Sequence, residues 1–325
     1  MKRMLLIAVA VVLVAGTVWI ARQTRETTPK EDQRPGSHKE AQESQEAKTA
    51  SSHSRDSRNS RPTPLSIQPI VTARSDATIR SRIEALRSLG TRLTAEERQS
   101  LNEFLLSTAR VEGIQDPQLH WLKNEIMTVL RNQETGSLEV TDALISNYRN
   151  RKQDVVIRDY SLQHLSLLYE NASQKDEIRQ VLWEAVAESS SSLAGTALLS
   201  LHRLAETHEE FDSKAVSKKA LSFAADQHCE IATCLTAIQV CARMGETRAL
   251  PAARRLAETE GSVPLRISAI AAVGDLGGPE SIPLLEKLAS GDDARLRPAA
   301  ESALKRLQRR LALTERSATT TGREG

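Results

Sequence analysis

The chain has 325 residues, with 44 lysines and arginines against 42 aspartates and glutamates, and a formal net charge of +2. Aromatic residues make up only 3% of it, so leucine and alanine carry the apolar content, which suits helices packed closely through small side chains. A charge this close to zero, with the excess of basic residues confined to the N-terminal quarter, argues against a surface that tracks nucleic-acid phosphates. No nucleic-acid partner is predicted.

The first element is an uncharged, largely apolar run, Met4–Ala21, which follows two basic residues. As a helix it would span about 27 Å, close to the hydrocarbon core of a bilayer. A cleaved signal peptide, cut after the small residues at 14–16, is one interpretation. An uncleaved anchor explains the run better, because Trp19 and Arg22 would then lie near one interface. We expect a single-pass protein of the cytoplasmic (inner) membrane, with its soluble part in the periplasm or another extracytoplasmic space.

Between residues 22 and 64 there is no Val, Ile, Leu, Met, Phe, Trp, Tyr or Cys. Such a segment cannot bury enough apolar surface to offset the entropy of ordering, so it is predicted to be a disordered tether. The predicted domains are therefore a membrane segment at 1–21, a polar linker at 22–75, a helical domain at 76–312 and a disordered tail at 313–325.

Helical signals begin near residue 76. Ile79, Ile83 and Leu86 form one apolar stripe, and Thr94 with Glu97 three residues later has the spacing of a capping box. Similar segments continue to residue 312 and give about 13 helices, with no convincing strand. The predicted fold class is all-α, with six or seven helix pairs.

Near the C-terminal end the chain repeats itself. "TCLTAIQVCARMGETRALP" at 233–251 and "LRISAIAAVGDLGGPESIP" at 265–283 match in identity or chemical class, and a third copy begins at "LRPAAESALKRL". Periods of 20 to 50 residues indicate stacked repeats, in which each unit buries its apolar face against the next.

The segment "PLRISAIAAVGDLGGPESIPLLEKLASGDDARLRPAAESALKRL" resembles HEAT repeats of the short, phycobilisome-lyase-like type. The likeness is strong over 262–308 and fair over 229–260, where Cys234 replaces the arginine of the repeat. It implies a right-handed α-solenoid, a superhelix of stacked helix pairs with an extended curved surface.

Four small or special residues fit this pattern. Ala269 and Ala300 are predicted to occupy the tight contacts between neighbouring helices, because a larger side chain would push the helices apart. Gly277 is expected to adopt a left-handed backbone at a helix end, and Pro283 to lie early in the second helix of its pair.

Three arginines, Arg158, Arg266 and Arg297, each follow acidic residues in the preceding loop or first turn. The resemblance implies that such arginines hydrogen-bond back to neighbouring loops.

The stretch "RDYSLQH" places polar residues in an otherwise apolar helix, where buried polar groups need partners. They are predicted to form either a hydrogen-bond network between repeats or a patch that binds a ligand or partner. Catalysis is the least favoured interpretation. The candidates are Arg158, Asp159, Tyr160, Gln163 and His164.

The remaining histidines and acids do not suggest an enzyme. His202 and Glu206, one turn apart, are interpreted as a solvated helix pair rather than a metal site. No phosphate-binding loop, zinc-protease motif or nucleophile elbow is present in the sequence. We therefore predict no catalytic residue, no cofactor and no metal.

The three cysteines are Cys229, Cys234 and Cys241. Cys234 and Cys241 would lie about 10 Å apart on one helix, too far for a disulfide. Cys229 and Cys234 could be joined only if the helix starts after Cys229. The favoured interpretation is three small apolar side chains in the core.

The predicted function is a membrane-tethered, non-catalytic scaffold that binds a protein or a component of the cell envelope through the solenoid surface. The alternative is an enzyme or accessory lyase that holds a small molecule on the concave face. A deep pocket of inward-facing ionisable residues would favour the alternative, and a shallow open groove would favour the scaffold.

Overall fold

The computed structural model describes residues 67–71, 78–259 and 261–321. These belong to one compact unit, Ser66–Gly325. The predicted membrane segment at 4–21, nearly all of the predicted linker and residues 322–325 lie outside the described residues. Among the helices that are described, none combines the length and the apolar character needed to cross a membrane.

The described part of the chain is helical and contains no strand, which confirms the all-α prediction. Thirteen α-helices follow Thr78, in agreement with the expected number, and a four-residue helix precedes them. The helices are α1 (Gln68–Val71), α2 (Ile79–Arg87), α3 (Ala95–Leu106), α4 (Asp116–Arg131), α5 (Ser137–Arg149), α6 (Val155–Leu168), α7 (Lys175–Ala187), α8 (Leu193–Ala205), α9 (Ser213–Ala225), α10 (Ile231–Arg243), α11 (Leu250–Glu258), α12 (Val263–Leu276), α13 (Ile282–Ser290) and α14 (Arg297–Thr321).

Helices adjacent in sequence pack as pairs, α3 with α4 through to α13 with α14, and the pairs stack on one another. The even-numbered helices from α2 to α14 contact one another in unbroken succession. The odd-numbered helices contact one another far less, so they form a second and more widely spaced row. The apolar core lies between the two rows and runs continuously from Ile67 to Leu307. This is the arrangement of a helical repeat stack.

Local sequence explains where several helices begin. Thr94 caps α3 by accepting a hydrogen bond from the Glu97 amide, and the Glu97 carboxylate accepts one from the Thr94 amide, so the predicted capping box is confirmed. Pro283 lies in the first turn of α13, where its missing N–H is tolerated.

Two boundaries differ from the expected ones. Helical structure already begins with α1, inside the segment assigned to the linker at 22–75, because Ile67 and Ile70 are buried against the core. At the other end α14 continues past residue 312 to Thr321, through a stretch without glycine or proline to stop it.

Candidate functional site

The predicted polar cluster lies on α6, in the middle of the even-numbered row. This helix packs against α4 on one side and α8 on the other, and against α5 behind it. Its polar side chains therefore point in different directions. The structure distributes four of the five candidates over three separate contacts, and Tyr160 belongs to none of the three.

Arg158 faces the odd-numbered row. Its Nε donates to the Tyr148 carbonyl at 2.6 Å, and its Nη2 donates to Glu188 Oε1 at 2.9 Å. The guanidinium also lies over the Tyr148 ring, and the Tyr148 hydroxyl donates to the same carboxylate at 2.9 Å. Arg158 thus fastens the end of α5 and the loop after α7 to the start of α6.

His164 faces α4. Its Nδ1 lies 3.1 Å from Arg131 Nη1, which can only donate, and its Nε2 lies 3.1 Å from Asn124 Oδ1, which can only accept. Only the neutral ring with its proton on Nε2 satisfies both contacts. Burial, aided by the charge of Arg131, lowers the pKa of His164 to about 3. His164 is therefore a neutral hydrogen-bonding link between α4 and α6.

Asp159 and Gln163 face α8. Gln163 Nε2 donates to Asp159 Oδ2 at 2.7 Å, whereas the buried Asp159 Oδ1 has no hydrogen-bond partner among the described residues. Burial raises the pKa of Asp159, although Gln163 and the nearby Thr196 of α8 act to lower it. Tyr160 is half-buried, with part of its side chain packed against the apolar core. Of the five candidates, Tyr160 is the one best placed to contact a partner.

The contact of Arg158 recurs in the C-terminal repeats. Arg158 is the fourth residue of α6 and Arg266 is the fourth residue of α12. Arg266 Nε donates to the Ala257 carbonyl at 3.1 Å, near the end of the preceding helix α11. Its Nη1 lies 3.7 Å from Asp293, in the loop between α13 and α14. Arg297 differs, because it is exposed at the start of α14.

Sequence reasoning missed two further members of this series. Arg82, the fourth residue of α2, donates to the Ile70 carbonyl at 2.9 Å. Lys123 of α4 donates to the carbonyls of Leu105 and Ser107 at the C-terminal end of α3. Burial lowers the pKa of Lys123 to about 8. In both helices the sequence signal for this contact was a basic residue within a stripe of apolar residues.

The small residues of the repeat pattern lie in the core. Ala269 and Ala300 are fully buried on α12 and α14. These two helices approach each other closely at Gly274, where an added Cβ would lie 2.8 Å from the Cβ of Ala303. Gly277 does not have the left-handed backbone predicted for it, since its φ is −73°. A glycine is required there because a Cβ would collide with the Ser281 side chain and the Val273 carbonyl.

The exposed side chains of the even-numbered helices form a surface that we call the even-row face. Its N-terminal half is apolar and its C-terminal half is charged. Trp121 is 43% exposed and Leu167 is 58% exposed, whereas Arg203 and Arg243 follow on α8 and α10. The members used below are Trp121, Tyr160, Leu167, Leu199, Arg203 and Arg243.

Two of the cavities at the surface of the described residues are relevant here. One, of about 520 Å³, is lined by Arg110 to Asp116 in the loop after α3, and the other, of about 650 Å³, lies beside α14 and is lined by Asp275, Arg306 and Arg310. Neither contains a candidate from α6. Within the described part of the chain, no group of three or more His, Cys, Asp or Glu side chains is arranged to hold a metal ion.

Residues 217–305 match the family model of HEAT repeats. The match is to HEAT repeats in general and not to the phycobilisome-lyase-like type. No curated protein matches the chain. Among solved structures, the chain is similar to human deoxyhypusine hydroxylase in complex with glycerol, with 15% sequence identity and a TM-score of 0.32, covering 75% of this chain and 94% of that chain. A TM-score of this size supports neither a shared activity nor a shared ligand.

Proposed function

This chain is a HEAT-repeat protein, and we propose that it is a non-catalytic scaffold that binds a protein partner along its even-row face. The observation that carries the proposal is the group of uncovered apolar side chains on α4, α6 and α8. Trp121 and Leu167 are 43% and 58% exposed, and Tyr160 and Leu199 are half-buried beside them. Neighbouring aromatic and leucine side chains left in water are typical of interaction surfaces.

These side chains are held by a rigid frame. The Trp121 indole donates to Glu125 Oε1 at 3.1 Å, and Arg87 of α2 donates to both oxygens of that carboxylate. On α6, Tyr160 and Leu167 lie two turns apart on a helix fixed on both sides. A preformed surface loses little conformational entropy when a partner binds.

The charged half of the face indicates what kind of partner would fit. Arg203 lies on α8 and Arg243 lies on α10. Burial is the main cause that lowers the pKa of Arg203, and the nearby positive charge of Arg243 is the second. Glu206, which acts to raise the pKa of Arg203, is an acidic neighbour of this pair within the chain, and two guanidinium groups can bind a further carboxylate. We infer that the partner presents an apolar segment to α4, α6 and α8 and acidic side chains towards α10.

The same observations favour a scaffold over a small-molecule enzyme. A catalytic site on this face would need ionisable groups that converge in one deep pocket. Here the polar groups of α6 are used between helices, His164 is held neutral, and the two described cavities open to solvent away from α6.

We further propose that the apolar segment at 4–21 tethers this scaffold to the cytoplasmic membrane, with the repeats on the extracytoplasmic side. The support for this is the composition of residues 4–21 and 22–64 alone.

Site-specific photocrosslinking tests the even-row face. A photoreactive phenylalanine analogue is placed at Leu167 in the full chain, and the matched control carries it at Leu138, which is 51% exposed on α5 in the other row. We expect discrete protein adducts on irradiation of cells at 167 and not at 138. The pair Trp121→Ser and Tyr160→Ser should weaken the adducts at 167. Equal crosslinking at both positions, or none at 167, would contradict the proposal.

A further inference from the structure

Cys229 and Cys234 lie on either side of the first residue of α10. The helix begins at Ile231, so Cys229 lies in the segment before it and Cys234 in its first turn. Glu230 is the N-cap, so Cys229 precedes the cap and Cys234 is the fourth residue of the helix, two positions whose side chains commonly pack against each other. Both are free thiols, and each is close enough to affect the pKa of the other. Cys241, in contrast, lies two turns further along and is fully buried.

Cys234 also occupies a special position in the repeat. It is the fourth residue of α10, as Arg158 is of α6 and Arg266 is of α12. Each of those arginines joins its helix to the chain just before it, through the carbonyls of Tyr148 and Ala257. A cysteine is too short to make that contact and too weak a donor to replace it. Leu119 of α4 and Thr196 of α8 also stand where these arginines do, but of these three helices α10 is the one with a second cysteine just before it.

We propose that Cys229 and Cys234 form a disulfide, which fastens the start of α10 to the preceding segment in place of the arginine contact of α6 and α12. The proposal assigns a covalent modification site and does not depend on the partner proposed for the even-row face.

The bond forms by exchange with a disulfide of a second molecule, such as oxidised glutathione or a disulfide oxidoreductase. The Cys229 thiolate attacks one sulfur of that disulfide, which gives a mixed disulfide and releases one thiolate. The Cys234 thiolate then attacks the Cys229 sulfur and releases the second thiolate. Two electrons pass to the oxidant, and the two protons from the cysteines end on its two thiols.

The surroundings of the pair set this order of attack. Cys229 is half-buried and can meet an oxidant, whereas Cys234 is only 4% exposed and is placed to complete the exchange. Burial, with the nearby Cys234, Asp226 and Glu230, raises the pKa of Cys229 to about 12. Burial also raises the pKa of Cys234. Such thiols react slowly without a catalyst, and because their thiolates are not stabilised, the disulfide is favoured once it has formed.

Peptide mapping of the full chain tests the proposal. The reduced protein is incubated in its native state with oxidised glutathione at mildly alkaline pH, free thiols are alkylated, and the unreduced chain is digested by cleavage after Glu230 and after Leu235. Those cuts place the three cysteines on three different peptides. We expect the peptides of Cys229 and Cys234 to be joined, with a mass two hydrogens below their sum, and Cys241 to be alkylated.

A second measurement tests whether the bond stabilises the fold. The melting temperature of the oxidised full chain should exceed that of the reduced chain by several degrees. Cys241→Ala should retain that difference, whereas Cys229→Ala should abolish it. Three results would overturn the proposal: alkylation of both thiols after native oxidation, a glutathione adduct on Cys229 that Cys234 never resolves, or a bond that forms only in denatured protein.

Discussion

His164 illustrates how a single buried ring couples two repeats and makes the fold sensitive to acid. The ring is 5% exposed and is held between Arg131 and Asn124, which together require its neutral form. A proton added to Nδ1 would break the bond from Arg131 and place two positive charges together. The contact is therefore stabilising only while the ring stays uncharged.

We predict an acid-dependent loss of stability from this residue. The pKa of His164 is about 3 in the folded chain and about 6.5 when unfolded, so between these values the unfolded state binds the additional proton. The contribution is complete above pH 6.5 and declines as the pH falls, by about 2 kcal/mol at pH 5.

Urea unfolding at pH 7 and pH 5 checks this, with His164→Gln as the comparison. The variant keeps a hydrogen-bonding side chain but cannot gain the proton. It should lose less stability than the natural chain between the two pH values. An equal loss in both proteins would show that His164 is already protonated in the folded state at pH 5.

At the scale of the helices, the repeated device is a basic side chain that closes the end of the preceding helix. Arg82, Arg158 and Arg266 each occupy the fourth position of an even-numbered helix and donate to a carbonyl of the element before it. The last four carbonyls of a helix lack intrahelical partners. These residues supply the donors and at the same time fix neighbouring helices to one another.

Arg158→Gln is predicted to destabilise the chain by about 2 to 4 kcal/mol, because it leaves the Tyr148 carbonyl and the Glu188 carboxylate without their charged donor. Arg297→Gln is the matched control, since Arg297 is exposed at the start of α14. It should change the free energy of unfolding by less than about 0.5 kcal/mol. Chemical denaturation of both variants makes the comparison. Similar losses in the two would mean that Arg158 contributes no more than a surface arginine.

Sequence periodicity could predict the helices and part of this device. The stripe of Ile79, Ile83 and Leu86 is buried, apart from the half-buried Ile79, and the arginines at 158 and 266 bond to neighbouring segments as expected. The pattern assigns residues to a face of a helix but does not say which neighbour that face meets. For that reason it grouped Arg158 with His164, although Arg158 contacts the odd-numbered row and His164 contacts α4.

Residues that depend on distances between helices were the least predictable. In the sequence Gly274 looks like an ordinary small residue, yet α12 and α14 are so close there that a Cβ would collide with Ala303. Gly277 was assigned to a left-handed turn because glycine most often serves that purpose, whereas here the requirement is space beside Ser281. Only packing of the folded chain distinguishes the two reasons.

At the scale of the whole molecule, the stack of helix pairs presents the binding surface. The proposed role of residues 4–64 is to hold that surface near a membrane. The run at 4–21 carries no charge and the segment at 22–64 carries no large apolar side chain. An apolar run of this length favours insertion in a bilayer, and a polar linker would let the repeats reach a partner away from the membrane.

We predict that the full chain stays in the membrane fraction through washes with high salt and carbonate. These washes do not extract a hydrophobic segment, such as 4–21, that is inserted in the bilayer. Leu13→Arg places a charge near the middle of that segment, where insertion is disfavoured by about 3 kcal/mol, and should shift a substantial fraction to the soluble phase. Leu13→Ile keeps the apolar character and should behave like the natural chain. Immunoblotting of pellets and supernatants measures the distribution. Recovery of a soluble natural protein that begins between residues 17 and 22 would instead indicate a cleaved signal peptide, because the mature chain would then lack the segment that binds the membrane.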